Sequence, residues 1–438
     1  MELDKMSYYD LSIFNTEEEY SIFYKLNFTC TFGGREQLKI FLQNPYHEIK
    51  KIVATQDTIK HLLKRESNWP DIITNGTLMV IEKYYESTID TIPQGHSAIN
   101  ATFYKWFHGP DYSLIKYSIK HIADFLKGMS QLSGLMDDAS CPSMLRKMLD
   151  RVRLVLERER IKPLLTADDP EKIDSGHLLE LGNYLRYGFK NAAFELIDIY
   201  YQLDAYHSMA LAMKQYQLNF PVFEDYPHPN INAKKLFHIL LPNPVAYDVE
   251  MNRNANFVFL TGANMAGKST FIKAVGVAVY LAHIGMGVPA QEMHLTLFDG
   301  IVSNINVVDN IIKGESYFFN EVQRIKNTII RINDGRKWLV LIDEIFKGTN
   351  IQDAMNCSAT VIKGLLKINN SLFILSTHLY EIGEKLQSYP NIQFKYFETS
   401  VKDEQLLFSY QLKDGISNDR LGYLILKREK VVEMLEKL

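Results

Sequence analysis

Residues 257–270, Phe-Val-Phe-Leu-Thr-Gly-Ala-Asn-Met-Ala-Gly-Lys-Ser-Thr, constrain this chain more than any other stretch. Four apolar residues of strand type lead through Thr261 into Gly262. Gly267-Lys268-Ser269-Thr270 then opens an apolar-rich segment that runs to Tyr280. The spelling G-x-x-x-x-G-K-[ST], with a strand before it and a helix after it, is that of a loop wrapped around a phosphate. Glycine lets the backbone curl and turn its N–H groups inward, and the N-terminus of the following helix adds partial positive charge. Gly262, Ala263, Asn264, Met265, Ala266, Gly267, Lys268, Ser269 and Thr270 are therefore expected to bind a nucleotide. Lys268 would reach the β- and γ-phosphates, and Ser269 would offer its hydroxyl to Mg²⁺.

A second constraint lies downstream. Residues 338–344, Trp-Leu-Val-Leu-Ile-Asp-Glu, form an apolar run of the kind found in buried parallel strands, ending in two carboxylates. This acidic pair follows the phosphate loop by some 75 residues. Asp343 would hold Mg²⁺ through water, and Glu344 would act as base or position the attacking water. A third apolar run, Leu372-Phe373-Ile374-Leu375, ends in Ser376-Thr377-His378. There His378 could hydrogen-bond the γ-phosphate or its attacking water. Three strands that each present chemistry at the carboxyl end describe an open α/β sheet with ATP at its edge.

The preceding half is helical in pattern. Leu38, Phe41 and Leu42 share a helix face that stops at Asn44-Pro45, and a second helix is expected over 47–64. Further helices are expected over 113–136 and 143–162, the latter stopped by Pro163. Leu132-Ser133-Gly134-Leu135 has the look of an ATP-cassette signature, but it lacks the glycine pair and precedes the phosphate loop, which makes it a decoy. The 143–162 helix carries Arg146, Lys147, Arg151, Arg153, Arg158, Arg160 and Lys162 against Asp150, Glu157 and Glu159. It reads as a solvated face with internal ion pairs more readily than as a phosphate-contacting one. An apolar seam from Leu178 to Met213 predicts one long helix, roughly 50–60 Å at the usual rise per residue. Residues 219–229, rich in proline, aromatics and acids, read as a linker.

Bulk properties set the frame. A chain of 438 residues with 46% hydrophobic and 23% charged content suits a protein of two or three domains. The net charge of −4 gives no global call for nucleic acid. Cys30, Cys141 and Cys357 share no metal spacing and suggest reduced thiols. No apolar run approaches the ~18 residues of a spanning helix, and the N-terminus has no apolar leader core, so a cytoplasmic protein is expected.

These residues carry a resemblance. Residues 261–270 are similar to the T-G-P-N-M-G-G-K-S-T of the MutS mismatch-repair family. Residues 343–349 resemble its D-E-I-G-R-G-T, and Ser376-Thr377-His378 resembles its [AS]-T-H. Val288-Pro289-Ala290, Asp309 and 314–318 fall in the family's order. Residues 31–63 resemble its lever segment, T-x-x-G-x-R-x-L-x-x-W-L-x-x-P. The resemblance implies an α-helical lever/core domain (1–220), a linker (221–234) and an α/β P-loop NTPase domain of ATP-binding-cassette type with a C-terminal helical tail (235–438). It implies a homodimeric ATPase using ATP and Mg²⁺, with Lys268, Glu344 and His378 catalytic and Ser269 and Asp343 at the metal. Ser316, in the signature segment, would reach the γ-phosphate across the dimer interface. DNA, mismatched or branched, would be the substrate.

The departures are specific. Ala263 and Ala266 replace proline and glycine, and Phe346-Lys347 replaces Gly-Arg. There is no room for the family's N-terminal mismatch-reading and connector domains, so a short form is expected. Phe319-Asn320-Glu321 has the spelling of the mismatch wedge but lies in the ATPase half. The short segment 163–176 leaves little for a DNA clamp. A second reading is therefore an ATP-driven dimer switch that binds a protein partner.

Overall fold

The computed structural model describes residues 1–65, 68–166, 173–306, 317–402, 405–417 and 430–436. Contacts divide the chain into two compact units. One comprises Leu26–Gln43 and Ala54–Gln215, and the other Met1–Lys25, Asn44–Val53 and Tyr216–Leu438. The architecture is helical in the first and mixed α/β in the second. Among the described residues, no helix is long and apolar enough to cross a membrane.

Before the first strand the helices are α1 (Lys5–Asp10), α2 (Ile22–Leu26), α3 (Phe32–Gln43), α4 (Ile49–Leu63), α5 (Asn75–Glu86), α6 (Ala98–Phe107), α7 (Gly109–Met136), α8 (Ser143–Leu156), α9 (Lys162–Thr166), α10 (Ser175–Asn183) and α11 (Lys190–Gln215). In the helical unit, α3 lies against α11 and α5 against α7. The α3–α11 approach is unusually close. A Cβ on Gly33 would fall 2.1 Å from the Tyr201 ring, and one on Gly34 would fall 2.1 Å from the Asp204 carboxylate. Asp204, wholly buried in α11, then caps α3. It accepts the N–H of Cys30 at 2.9 Å, the N–H of Thr31 at 2.9 Å and the Thr31 hydroxyl at 2.6 Å. A buried carboxylate thus satisfies donors that a helix start leaves unpaired.

Two expected helices differ. The seam over 178–213 is not one helix: α10 stops at Asn183, a π-helical turn spans Tyr184–Gly188, and α11 begins at Lys190. Neighbouring groups engage the break. The Tyr84 hydroxyl donates to the Gly182 carbonyl at 2.9 Å and the Tyr85 hydroxyl to that of Leu185 at 3.2 Å. Arg186, within the turn, reaches back to the carbonyls of Tyr84 and Ser87. Such outside partners and a π turn are recognised causes of helix interruption. The unbroken α11 has 26 residues, about 39 Å of helix. The other difference is α8, which ends at Leu156 and not at Lys162. Pro163 instead lies in the first turn of α9, where a missing N–H has no cost.

The α/β unit has two sheets. The smaller has the order β1-β5-β2-β3, built from Val222–Phe223, Glu292–Leu295, Ile231–Leu236 and Tyr247–Met251. The larger has the order β10-β9-β4-β8-β7-β6, from Gln405–Asp414, Ile392–Lys402, Phe257–Thr261, Ser371–Ser376, Trp338–Asp343 and Gly300–Asn304. All neighbours in it are parallel except β9 and β10. The strands β4, β7 and β8 are buried at every position, as the continuous apolar runs require. Helix α12 (Lys268–His283) follows β4 directly and is buried along most of its length. Helices α13 (Tyr317–Ile332), α14 (Ile351–Leu365) and α15 (Tyr380–Leu386) complete the elements used below.

Residues 1–25 pack within this unit, a membership that the linear boundary at 220 does not convey. Asp10, wholly buried, accepts the Ser303 hydroxyl at 2.8 Å and the N–H groups of Ile305 at 2.9 Å and Asn306 at 3.1 Å. The N-terminal segment therefore seals the carboxyl end of β6, an edge strand whose exit would otherwise leave backbone donors buried and unpaired.

Asp204→Ala should cost about 2–4 kcal/mol, because it strands buried N–H and hydroxyl groups at the start of α3. Urea unfolding measures this directly. A midpoint equal to that of the wild type would refute the capping role.

Candidate active site

The site is built at the carboxyl ends of β4, β7 and β8, which are adjacent in the sheet. The register puts Leu260 beside Ser376, and Ser376 beside Asp343. The tips of three distant segments thus meet because the strands pair in this order.

After β4 the chain turns through residues 262–267. Gly262 has φ +133° and Gly267 φ +112°, both outside the range an L side chain adopts readily. Met265, at φ +67° and 76% exposed, carries the third left-handed residue of the loop. Ala266 is buried with an ordinary negative φ, so alanine fits where the family spelling has glycine. Lys268 opens α12 with its side chain almost fully buried. Its ammonium donates to the carbonyls of Gly262 at 2.9 Å and Ala263 at 3.0 Å, and lies 3.8 Å from Glu344 Oε1. Burial pushes the Lys268 pKa down, and the Glu344 and Asp343 carboxylates pull it back up.

Asp343 is buried between two hydroxyls. Ser269 donates to its Oδ2 and Ser376 to its Oδ1. One carboxylate thereby joins the first turn of α12 to the ends of β7 and β8. The Ser269–Asp343 pair offers oxygen donors of the kind that hold Mg²⁺.

Glu344 is the centre of the charges. His378 Nε2 meets its Oε1, Lys347 Nζ lies 2.6 Å from its Oε2, and Lys268 lies beyond. Burial pushes the Glu344 carboxyl up, but hydrogen bonds from His378 and Lys347, together with their charge, outweigh it and bring the pKa down to about 2. As arranged, Glu344 is a firmly ionised acceptor and a weak proton base. It suits orienting a water more than deprotonating one outright.

The loop that carries these groups is strained. Glu344 has φ +54° and Phe346 φ +60°. A non-glycine residue held there costs of order 1–3 kcal/mol. Position 346 is glycine in the family spelling, and the conformation accounts for it. Phe346 offsets the strain by burial, 4% exposed and with its ring 5.7 Å from that of Phe318. Glu321 of α13 then holds the loop from below, accepting the N–H of Lys347 at 3.0 Å and of Gly348 at 3.1 Å.

The structure thus brings Lys268, Ser269, Asp343, Glu344 and His378 together, with His378 placed on Glu344. Ser316, Asp309 and Gly314 lie outside the described residues. The sequence reading assigned no role to Glu321, to the Ser376 hydroxyl or to the Lys347–Glu344 pair. A signal for Glu321 existed: it falls on the buried stripe of α13 with Ile325, Thr328 and Ile332, where a lone carboxylate needs a partner. The cleft beside the phosphate loop has a volume of about 440 Å³. Leu241, Val245, Tyr247, Met265 and Tyr410 line it together with Lys268 and Glu344. Tyr247, a candidate for stacking a base, meets the rings of Phe271 and Phe397 at near right angles.

Residues 258–434 match the family model of MutS domain V. This part of the chain is similar to the MutS family. The chain is 29% identical over 239 residues to the DNA mismatch repair protein MutS of Thermotoga maritima, a match covering 54% of this chain and 30% of that one. It is 30% identical over 236 residues to MutS of Pseudothermotoga lettingae, covering 52% and 28%. Against MutS of Petrotoga mobilis it is 26% identical over 279 residues, covering 62% and 32%. The matched part spans about a third or less of each of these relatives.

The folded pKa of Glu344, about 2, lies below its ordinary value of 4.5. Its ionisation therefore stabilises the fold above pH 4.5, and this contribution is lost as pH falls from 4.5 toward 2. Glu344→Gln should flatten the dependence of the urea midpoint on pH in that window. A slope identical to that of the wild type would exclude the charge cluster.

Proposed function

We propose that this chain is a MutS-family, Mg²⁺-dependent ATPase whose two copies close on ATP. The observation that carries the reading is the convergence of Lys268, the Ser269–Asp343 pair and Glu344 on one cleft. The donor set fits the nucleotide: a buried ammonium, a helix start with two left-handed glycines in front of it, and a hydroxyl–carboxylate pair suited to a hard cation. Mg²⁺ would supply charge neutralisation on the phosphates, with Ser269 and Asp343 as its holders.

Each residue then has a task. Lys268 exchanges its bonds to the Gly262 and Ala263 carbonyls for phosphate oxygens. Glu344 accepts a hydrogen bond from the attacking water and orients it. His378, beside Glu344, acts as the sensor of the γ-phosphate. Ser316 serves the opposite subunit in the dimer. Tyr247 and Tyr410 flank the base. The helical unit is read as the lever and core that transmit closure, and the α/β unit as a cassette-type ATPase. The protein acts in the cytoplasm, on mismatched or branched DNA in the manner of mismatch repair.

One observation favours the second reading, a dimer switch working on a protein partner. Most of the basic residues expected along 143–162 are engaged within the chain. Arg151 makes a bidentate pair with Glu195 at 2.7 and 2.9 Å, Arg146 and Arg153 share Asp137, and Lys162 pairs with Glu159. Arg158 and Arg160 lie over the rings of Phe189 and Tyr184. A face so paired has less charge to give to phosphates.

Glu344→Gln should keep ATP affinity within a few-fold and lower kcat by about 10²–10⁴. Normal turnover would exclude the assigned role. Filter binding to homoduplex, mismatched and branched DNA across a salt series separates the two readings. Binding that weakens steeply with salt supports the DNA substrate, and no binding to any of the three eliminates it.

A further inference from the structure

Away from the nucleotide cleft, two imidazoles and a carboxylate converge at the start of α10. Asp174 is the N-cap of that helix, and its Oδ1 accepts the N–H of Gly176 at 3.0 Å and of His177 at 3.2 Å. His177, one turn on, brings Nδ1 to Asp174 Oδ2. His96 arrives from the segment before α6, its Nε2 3.2 Å from Asp174 Oδ1. The two imidazole centroids are 3.8 Å apart. One ligand atom from each of the three residues lies within 4.8 Å of the other two.

Contacts independent of these groups hold both segments in place. The Asn183 amide donates to the Ile92 carbonyl at 2.8 Å, and Ile92 is wholly buried, so the chain before His96 is anchored to α10. The Tyr112 hydroxyl lies 2.9 Å from that of Ser175 in the first turn of the helix. Gly176 leaves room for the imidazole, since a Cβ there would come within 3.0 Å of the His96 ring.

We propose that His96, Asp174 and His177 form a binding site for a divalent transition-metal ion of the Zn²⁺ type. The ion would fasten the segment before α6 to the start of α10. The donors are two imidazole nitrogens and one carboxylate oxygen, with water completing the coordination. Ligands about 2.0–2.1 Å from a tetrahedral ion sit about 3.4 Å apart, close to the 3.2 Å between His96 Nε2 and Asp174 Oδ1. Asp and His three residues apart on a helical turn face the same way. Hydrogen bonding alone requires both rings to aim an N–H at one carboxylate while their centroids lie 3.8 Å apart, with the ring planes tilted by 42°. A cation accepts both nitrogen lone pairs and removes that crowding. All three side chains are about half exposed, which leaves the ion a route from solvent.

The test uses the full chain without a histidine tag. Zn²⁺ binding is measured by calorimetry, and Co²⁺ binding by its visible absorption bands. The wild type should bind an ion that His96→Gln and His177→Gln each weaken at least about tenfold. Zn²⁺ should also raise the thermal midpoint by about 4 °C at saturating concentration, an effect absent in both variants. His108→Gln, which alters the separate Asp90–His108–Asp111 cluster, should leave this ion in place. Wild-type protein that binds no Zn²⁺ at sub-millimolar concentration overturns the proposal. So does a doubly substituted His96→Gln, His177→Gln protein with wild-type stoichiometry and affinity. Both replacements lie on exposed side chains and leave the Asp174 cap intact, and the wild-type titration decides even if a variant fails to fold.

Discussion

The site depends on one carboxylate. Asp343 receives the Ser269 hydroxyl on one oxygen and the Ser376 hydroxyl on the other. This ties the first turn of α12 to the tips of β7 and β8. A buried carboxylate is stable only when its oxygens are occupied, so the interaction also orients the groups around it. The start of α12 cannot shift against β7 and β8 without breaking it.

Around that point the chain accepts local strain. Glu344 and Phe346 are both left-handed, and the segment between them is too short to relax. Two contacts hold it. Phe346 is buried against Phe318, and Glu321 accepts two successive backbone N–H groups from the far side of the loop. Both come from α13, which follows the segment containing Ser316. Helix α13 therefore sets the conformation of the loop that carries Glu344.

The electrostatics point the same way. Glu344 is held by His378, Lys347 and Lys268, and its low pKa makes it a strong ion-pair partner and a poor base. A carboxylate so held is suited to placing a water more than to abstracting its proton. Lys347 stands where the family spelling has arginine. A compact ammonium on a flexible stem makes a single-point contact, whereas a guanidinium would fork across both oxygens.

The glycine-bounded loop before Lys268, the carboxylate pair, the place of His378 at a strand end and the open, mostly parallel sheet were legible in the primary structure. Each is a local spelling: an apolar run, a glycine where the backbone must reverse, and a polar group at the strand end. Short-range sterics and burial write such features directly. What could not be read there depends on partners far along the chain. Glu321 carries no local mark beyond its place on a buried helix stripe. The seam over 178–213 is regular, yet Tyr84, Tyr85 and Arg186 engage it at a π turn. The N-terminal segment joins the α/β unit because Asp10 meets donors almost three hundred residues away. Hydrophobic periodicity specifies which face of an element is buried. Only the folded chain decides which polar group waits on the other side, because a hydrogen bond depends on position in space and not on distance along the backbone.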